Sequence, residues 1–230
     1  MKSLYLSVLI SFLTTSSFSQ QKNNETDNYP RWQITTGLGL VGMTGLPTFG
    51  INGQPSGIDQ QISVGAKLEA NYNLQLSGKH YLTMGLGFET NRHIVDGHFT
   101  KDGDVYNFYI TPPNYKQHEM LLNYLNIPIL YKYRWLNTGS VSIGPYASYL
   151  IGSNSKYKIG SDKFDADVPI ENKFRWGLQG EWEVFDFNKA TNKTGSVFGL
   201  GVQYQLSSNL KVSHSFKPLF AYFKFGIAIR

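Results

Sequence analysis

The stretch Gln61-Ile62-Ser63-Val64-Gly65-Ala66-Lys67-Leu68-Glu69-Ala70-Asn71-Tyr72-Asn73-Leu74-Gln75-Leu76 alternates without a break. Its even positions are apolar or aromatic and its odd positions are polar or Gly. An amphipathic helix brings apolar residues back every three or four positions, so this run requires a strand with two unlike faces.

The same period returns in seven more segments. Trp32 to Gly42 presents Trp32, Ile34, Leu38 and Leu40, and Tyr81 to Val95 presents Leu82, Met84, Leu86 and Phe88. His118 to Trp135 carries Leu121, Leu125, Ile127, Ile129, Tyr131, Tyr133 and Trp135 on one face. Val141 to Ile151, Phe174 to Phe187, Ser196 to Leu206 and Phe223 to Ile229 repeat the pattern, which predicts eight strands. Gly78-Lys79 and Asn137 to Ser140 are tight connections, and Asn188 to Gly195 is moderately short. The intervening Met43–Gln60, Asp96–Gln117, Gly152–Lys173 and Ser207–Pro218 read as long polar loops. Short turns at one end and long loops at the other are what an outer-membrane barrel shows.

The face opposite the apolar one decides between a soluble and a membrane barrel. It carries Gly37, Gly39, Gly65, Gly85, Gly87, Gly144, Gly177, Gly199, Gly201 and Gly226. Among these glycines sit Lys67, Glu69, Glu89, Lys132, Arg134, Arg175, Glu181, Glu183 and Lys224. On a soluble surface so many glycines weaken strands for no gain. Inside a narrow barrel they leave room for long charged side chains to pair across the lumen, which an eight-stranded interior is just wide enough to hold. The nine charged residues are therefore expected to form a structural lumen cluster. Aromatics near the short-turn ends, Trp32, Tyr81, Tyr131, Tyr133, Trp135, Phe185 and Phe187, are expected to mark the edge of the hydrocarbon.

Parity sharpens one pairing. Both strands flanking Gly78-Lys79 turn even-numbered residues outward, so a three-residue loop at Ser77–Lys79 sets Lys67 opposite Glu89. A loop at Gly78–His80 would set Glu69 against Glu89, an unfavourable contact in a low-dielectric interior. The Lys67–Glu89 register is expected. Pro128, which lacks a donor, is expected to bring a bulge or kink.

Composition narrows the function classes. Of 230 residues, 21 are Lys+Arg and 16 Asp+Glu, a formal +5 without a basic block, which speaks against nucleic-acid binding. The absence of Cys excludes disulfides, thiol nucleophiles and thiolate metal sites. Met1 to Ser19, with Lys2, the apolar Leu4 to Leu13 and Ser17-Phe18-Ser19, reads as a secretory signal peptide. Gln20 to Pro30 reads as a flexible polar segment, and residues 31–230 as one outer-membrane barrel domain.

Other motifs have ordinary readings. Gly37-Leu38-Gly39-Leu40-Val41-Gly42 matches a dinucleotide fingerprint, but a loop follows where a helix must. Asp162, Asp165, Asp167 and Glu171 lack the spacing of a calcium-binding helix–loop–helix site and read as solvated loop acids. His93, Asp96, His98, Asp102 and Asp104 cluster in a loop region with no Ser or second ligand fixed by spacing. No residue is assigned a catalytic, cofactor-binding or metal-binding role.

Leu122-Asn123-Tyr124-Leu125-Asn126-Ile127-Pro128-Ile129-Leu130-Tyr131-Lys132-Tyr133 resembles the "YLEIPLLLKY" strand of the PorT-like outer-membrane β-barrel family of Gram-negative bacteria. Asn126 replaces the usual Glu and Tyr131 a usual Leu, while Gly144-Pro145-Tyr146 and the signal ending in Ser-Gln also fit. The resemblance implies an architecture like the small OmpA-type barrels, and a few members of that family serve a protein-secretion machinery. The chain ends Ile229-Arg230 without the usual terminal aromatic, so Phe223 and Phe225 are the candidates for the signal read by the barrel-insertion machinery.

Together these readings predict an all-β, eight-stranded antiparallel up-and-down barrel in the outer membrane. It would be monomeric, surrounded by outer-membrane lipid, and act structurally or through a protein partner at its four long loops. Two alternatives compete: a soluble lipocalin-like ligand carrier with the apolar face inward, and a membrane-embedded lipid-modifying enzyme using His93, His98 and Asp96.

Overall fold

The computed structural model describes residues 29–44, 63–102, 105–110, 116–136, 138–166, 170, 172–187, 193–207 and 217–230, with backbone alone for 43–44, 96–102, 105–110 and 116. The proposed signal peptide, and most of the segment after it, lie outside the described residues.

The strands are β1 (Trp32–Thr44), β2 (Ser63–Ser77), β3 (His80–Asp102), β4 (Val105–Ile110), β5 (Lys116–Leu136), β6 (Gly139–Ile159), β7 (Asp162–Asp165), β8 (Phe174–Phe187), β9 (Thr194–Gln205) and β10 (Lys217–Ile229). Eight of them close into an antiparallel barrel in the order β2-β1-β10-β9-β8-β6-β5-β3, with β3 pairing back to β2. Closure satisfies the backbone groups that hydrocarbon cannot.

The apolar face points outward throughout. Leu38, Leu40, Val64, Leu68, Leu86, Ile127, Ile143, Phe198 and Phe223 are all exposed, while the odd positions of β2 from Lys67 to Asn73 are buried. This overturns the soluble-carrier alternative, which needs the apolar face inside.

Β4 and β7 were not expected. The stretches 96–117 and 152–173, read as loops, are largely strand: β3 runs on to Asp102 and pairs with β4, and β6 runs to Ile159 and folds back onto β7. β5 and β6 stay paired to Lys116 opposite Ile159. The reversal into β7 uses Gly160 at φ 60°, a left-handed conformation that glycine adopts without a Cβ penalty.

Lys67 stands opposite Glu89, the register expected from parity and from the unfavourable Glu69–Glu89 alternative. The turn that achieves it differs from the expected three-residue loop. Ser77 pairs with His80 around Gly78-Lys79, and a bulge between Gln75 and Ser77 supplies the extra residue. Around Pro128 the ladder to β3 lapses at the two positions between Met84–Ile129 and Gly87–Asn126, with no change of register. On the β6 side the register shifts lie elsewhere, at Asn123/Tyr124 and Arg134/Leu136. Pro128 therefore interrupts hydrogen bonding without a bulge at its own position.

Near that lapse β6 presses closely on β5. A Cβ at Gly144 would lie 2.2 Å from the Ile129 carbonyl oxygen and 2.9 Å from Leu130 Cα, and backbone atoms cannot rotate away. At the lipid-facing Gly180 the nearest atom would be 3.8 Å off. Gly144→Ala should accordingly cost about 1–3 kcal/mol of overpacking, whereas Gly180→Ala should be near neutral. Urea unfolding followed by heat-modifiable gel mobility checks both; equal stability of the two variants would contradict the packing described.

Candidate functional site

The lumen is filled from end to end by side chains of alternating strand positions. At the turn end Tyr29 enters the mouth. Its ring stacks on Tyr81 with centroids 4.2 Å apart and meets Phe185 edge-on at 5.2 Å. Its hydroxyl donates to Ser140 Oγ at 3.0 Å. The segment is pinned where Asn73 Nδ2 donates to the Pro30 carbonyl at 2.9 Å and Arg31 N to the Ile229 carbonyl at 2.9 Å. Tyr29 is thus a plug and not part of a flexible segment. Tyr81 and Phe185 also correct the outer aromatic belt, since both are buried inside with Val197 and Ala228. Trp32, Tyr131, Tyr133 and Trp135 do face outward.

Above the plug lies a chain of ions. Lys132 Nζ meets Glu183 Oε2 at 2.7 Å, and Lys224 Nζ bridges Glu183 at 2.5 Å and Glu181 at 2.7 Å. Tyr222 donates to Glu181 Oε1 at 2.8 Å and accepts from Lys67 Nζ at 3.1 Å. Lys67 in turn pairs with Glu69 at 2.7 Å. A second group forms around Glu89, which pairs with Arg175 and accepts from Asn126 Nδ2 at 2.6 Å. The Arg175 guanidinium lies 3.5 Å from the Tyr124 ring centroid, where a cation is favoured. Turning the Gln203 amide so that its nitrogen reaches Glu89 Oε2 at 2.8 Å and its oxygen Lys67 Nζ at 3.2 Å joins the two groups.

Among the described residues this places four buried cations (Lys67, Lys132, Arg175, Lys224) beside four buried carboxylates (Glu69, Glu89, Glu181, Glu183). Arg134 stands apart at the turn-end mouth, partly exposed, donating to the Leu136 carbonyl at 3.3 Å and 5.8 Å from the Tyr29 ring. The register neighbours Lys67 and Glu89 each take another ion partner, Glu69 and Arg175, because long side chains reach along and across the lumen. Asn126, where the resembled motif has Glu, is also explained. A carboxylate there would touch Glu89.

At the far end His93, Met120 and His118 are buried. His118 Nε2 contacts Ser155 Oγ, the kind of pair nucleophilic catalysis uses. Both are buried, at 0% and 5% exposure. His93 faces the lumen on β3, while the side chains of Asp96 and His98 lie outside the described residues, as do Asp167 and Glu171. Asp162 and Asp165 are exposed on β7.

The lumen and the outward apolar face together define a transmembrane barrel. The model of the family described as "Outer membrane protein beta-barrel domain" matches residues 13–221. The chain belongs to this family, and it is an outer-membrane protein. No curated protein matches it in sequence. Similar solved structures include Neisserial surface protein A, at 8% identity and TM-score 0.45, covering 86% of this chain and 97% of that one. The Ail attachment invasion locus protein of Yersinia pestis is 11% identical with TM-score 0.42, covering 86% and 98%. OprG of Pseudomonas aeruginosa is 10% identical with TM-score 0.36, covering 88% and 96%.

Glu183 holds two ammonium groups, so replacing it with Leu takes the carboxylate from Lys132 and leaves Lys224 with Glu181 alone in a low-dielectric interior. Glu183→Leu should destabilise the refolded barrel by about 3–5 kcal/mol, while Arg134→Gln at the mouth should fall within about 0.5 kcal/mol of the parent. Urea midpoints of the refolded proteins provide the check, and a neutral Glu183→Leu would show that the ion chain does not hold the lumen.

Proposed function

We propose that the chain is a monomeric, non-conducting barrel whose hairpins are its working surface. The supporting observation is the contrast between its two parts. The lumen side chains from Tyr29 to Arg175 are almost wholly withdrawn from solvent. The β3–β4 and β5–β6–β7 extensions, by contrast, stand clear of the apolar band.

A plugged interior leaves no wide path for solutes. The closed eight-strand ring leaves no free edge within the bilayer for a second chain to pair with. Orientation follows from the ends: tight turns such as Gly78-Lys79 face the periplasm, and the hairpins face outward. On this reading the protein carries out no chemistry and acts structurally or by contact with a partner at the hairpins. The PorT-like motif around Pro128 supports a relation to that branch of outer-membrane barrels, and with it the secretion-linked role that a few members have.

Reconstituted in planar bilayers, the protein should give no stepwise conductance, and deletion of residues 97–110 should leave heat-modifiable mobility intact. Regular conductance steps from the intact protein would defeat the proposal and favour an aqueous pore.

A further inference from the structure

Where β3, β5 and β6 leave the apolar band, their outward face changes character. On β3 it runs from Phe88 through Thr90 to Arg92, and on β5 from Leu125 through Asn123 and Leu121 to Glu119. On β6 it passes from Tyr149 and Ile151 to Lys156 and Lys158. β7 folds back to set Lys163 opposite Lys158 and Asp165 opposite Lys156. Among the described side chains, four cations therefore share this face with two carboxylates.

The carboxylates do not neutralise it. Glu119 accepts from Arg92 Nε at 2.8 Å and lies 3.9 Å from Lys163 Nζ. The Arg92 hydrogen bond holds the Glu119 carboxyl below the usual carboxylate range. Lys158 and Lys163 meet directly across a ladder, a like-charge arrangement that is unfavourable by itself. An anion seated between them converts that repulsion into two attractions.

Position identifies the anion's source. Arg92 pairs with Leu121, the last exposed large apolar residue on the outward face of β5, and at ~3.3 Å per residue and a tilt near 40° Glu119 and its partner Lys156 stand about 5 Å beyond it along the barrel axis. That is the level of headgroups, which extend roughly 5–8 Å beyond each side of the hydrocarbon core. The face is also continuous with the exposed Leu121 and Ile151. A molecule with acyl chains below and phosphates above would meet both parts at once. We propose that Arg92, Lys156, Lys158 and Lys163 form a binding site for the multiply phosphorylated headgroup of an outer-leaflet lipid. The site rests on the outward orientation proposed above, and not on whether the lumen conducts.

The full chain, refolded in phosphatidylcholine nanodiscs doped with either bis-phosphorylated lipid A or phosphatidylglycerol, tests this by native mass spectrometry of the lipid it retains. The intact protein should retain lipid A several-fold over both other lipids. The combined variant Lys156→Gln, Lys158→Gln, Lys163→Gln should lose that preference while keeping its heat-modifiable mobility. Should that variant fail to fold, the single Lys158→Gln should still weaken retention. Equal retention of lipid A and phosphatidylglycerol, or a folded variant that keeps the preference, overturns the site. Protease access to the β6–β7 hairpin on intact cells reads orientation separately, so failure of the site and failure of the orientation are distinguishable.

Discussion

Eight buried charges persist in the lumen because they cancel. Each lysine, arginine or glutamate drawn from water into a low-dielectric interior costs several kcal/mol, and only close opposite partners offset that cost. Lys224 between Glu181 and Glu183, with Lys132 on the second, and Arg175 on Glu89 supply such partners in contact. Much else follows from this constraint. Charged chains need space, so their strand face is interspersed with glycines, and their strand neighbours on the other face carry the apolar groups that meet lipid. The barrel is in effect a protein turned inside out, with cohesion in its polar centre and solubility in its apolar coat.

The alternation that exposes this arrangement in the sequence depends on having two different solvents. Between Gln61 and Leu76 one face meets hydrocarbon and the other the lumen, so the period is unmistakable. Beyond the hydrocarbon both faces of a strand meet water or polar neighbours, and the selection for alternation ends. That is why the continuation of β6 through Ser153-Asn154-Ser155-Lys156 reads as loop although its backbone remains paired with β5. The same logic accounts for the turn at Gly78. Parity together with the repulsion of a Glu69–Glu89 contact gave the Lys67–Glu89 register correctly. It could not separate a three-residue loop from a two-residue turn with a bulge at Leu76, because both preserve the outward face.

The lumen face was legible in the sequence but its contacts were not, and Arg134, assigned to that face with the other charges, stands at the mouth. All nine charges could be assigned to one face from parity, yet which cation meets which carboxylate depends on distances across the barrel that strand register does not contain. Lys67 reaching Glu69 and Arg175 reaching Glu89 are examples. Tyr81 and Phe185 were readable, since they share the parity of Thr83 and Glu183; their place near the strand ends suggested the outer belt instead. Tyr29 was not readable. It is a single aromatic in a polar stretch, and no period connects it to the ring system it enters.

That single residue changes what the interior can be. Without it, the ion chain from Lys132 upward would meet water at the turn end, at Ser140 and Glu183. With it, an aromatic lid of Tyr29, Tyr81 and Phe185 covers that end, and the Tyr29 hydroxyl, bonded to Ser140 Oγ, extends the polar network that Ser140 makes with Glu183 at 3.3 Å. Excluding water lowers the local dielectric, which strengthens every paired contact above and makes each unpaired charge more costly. An interior closed and balanced in this way ties the aromatic lid and the ion chain into one polar network.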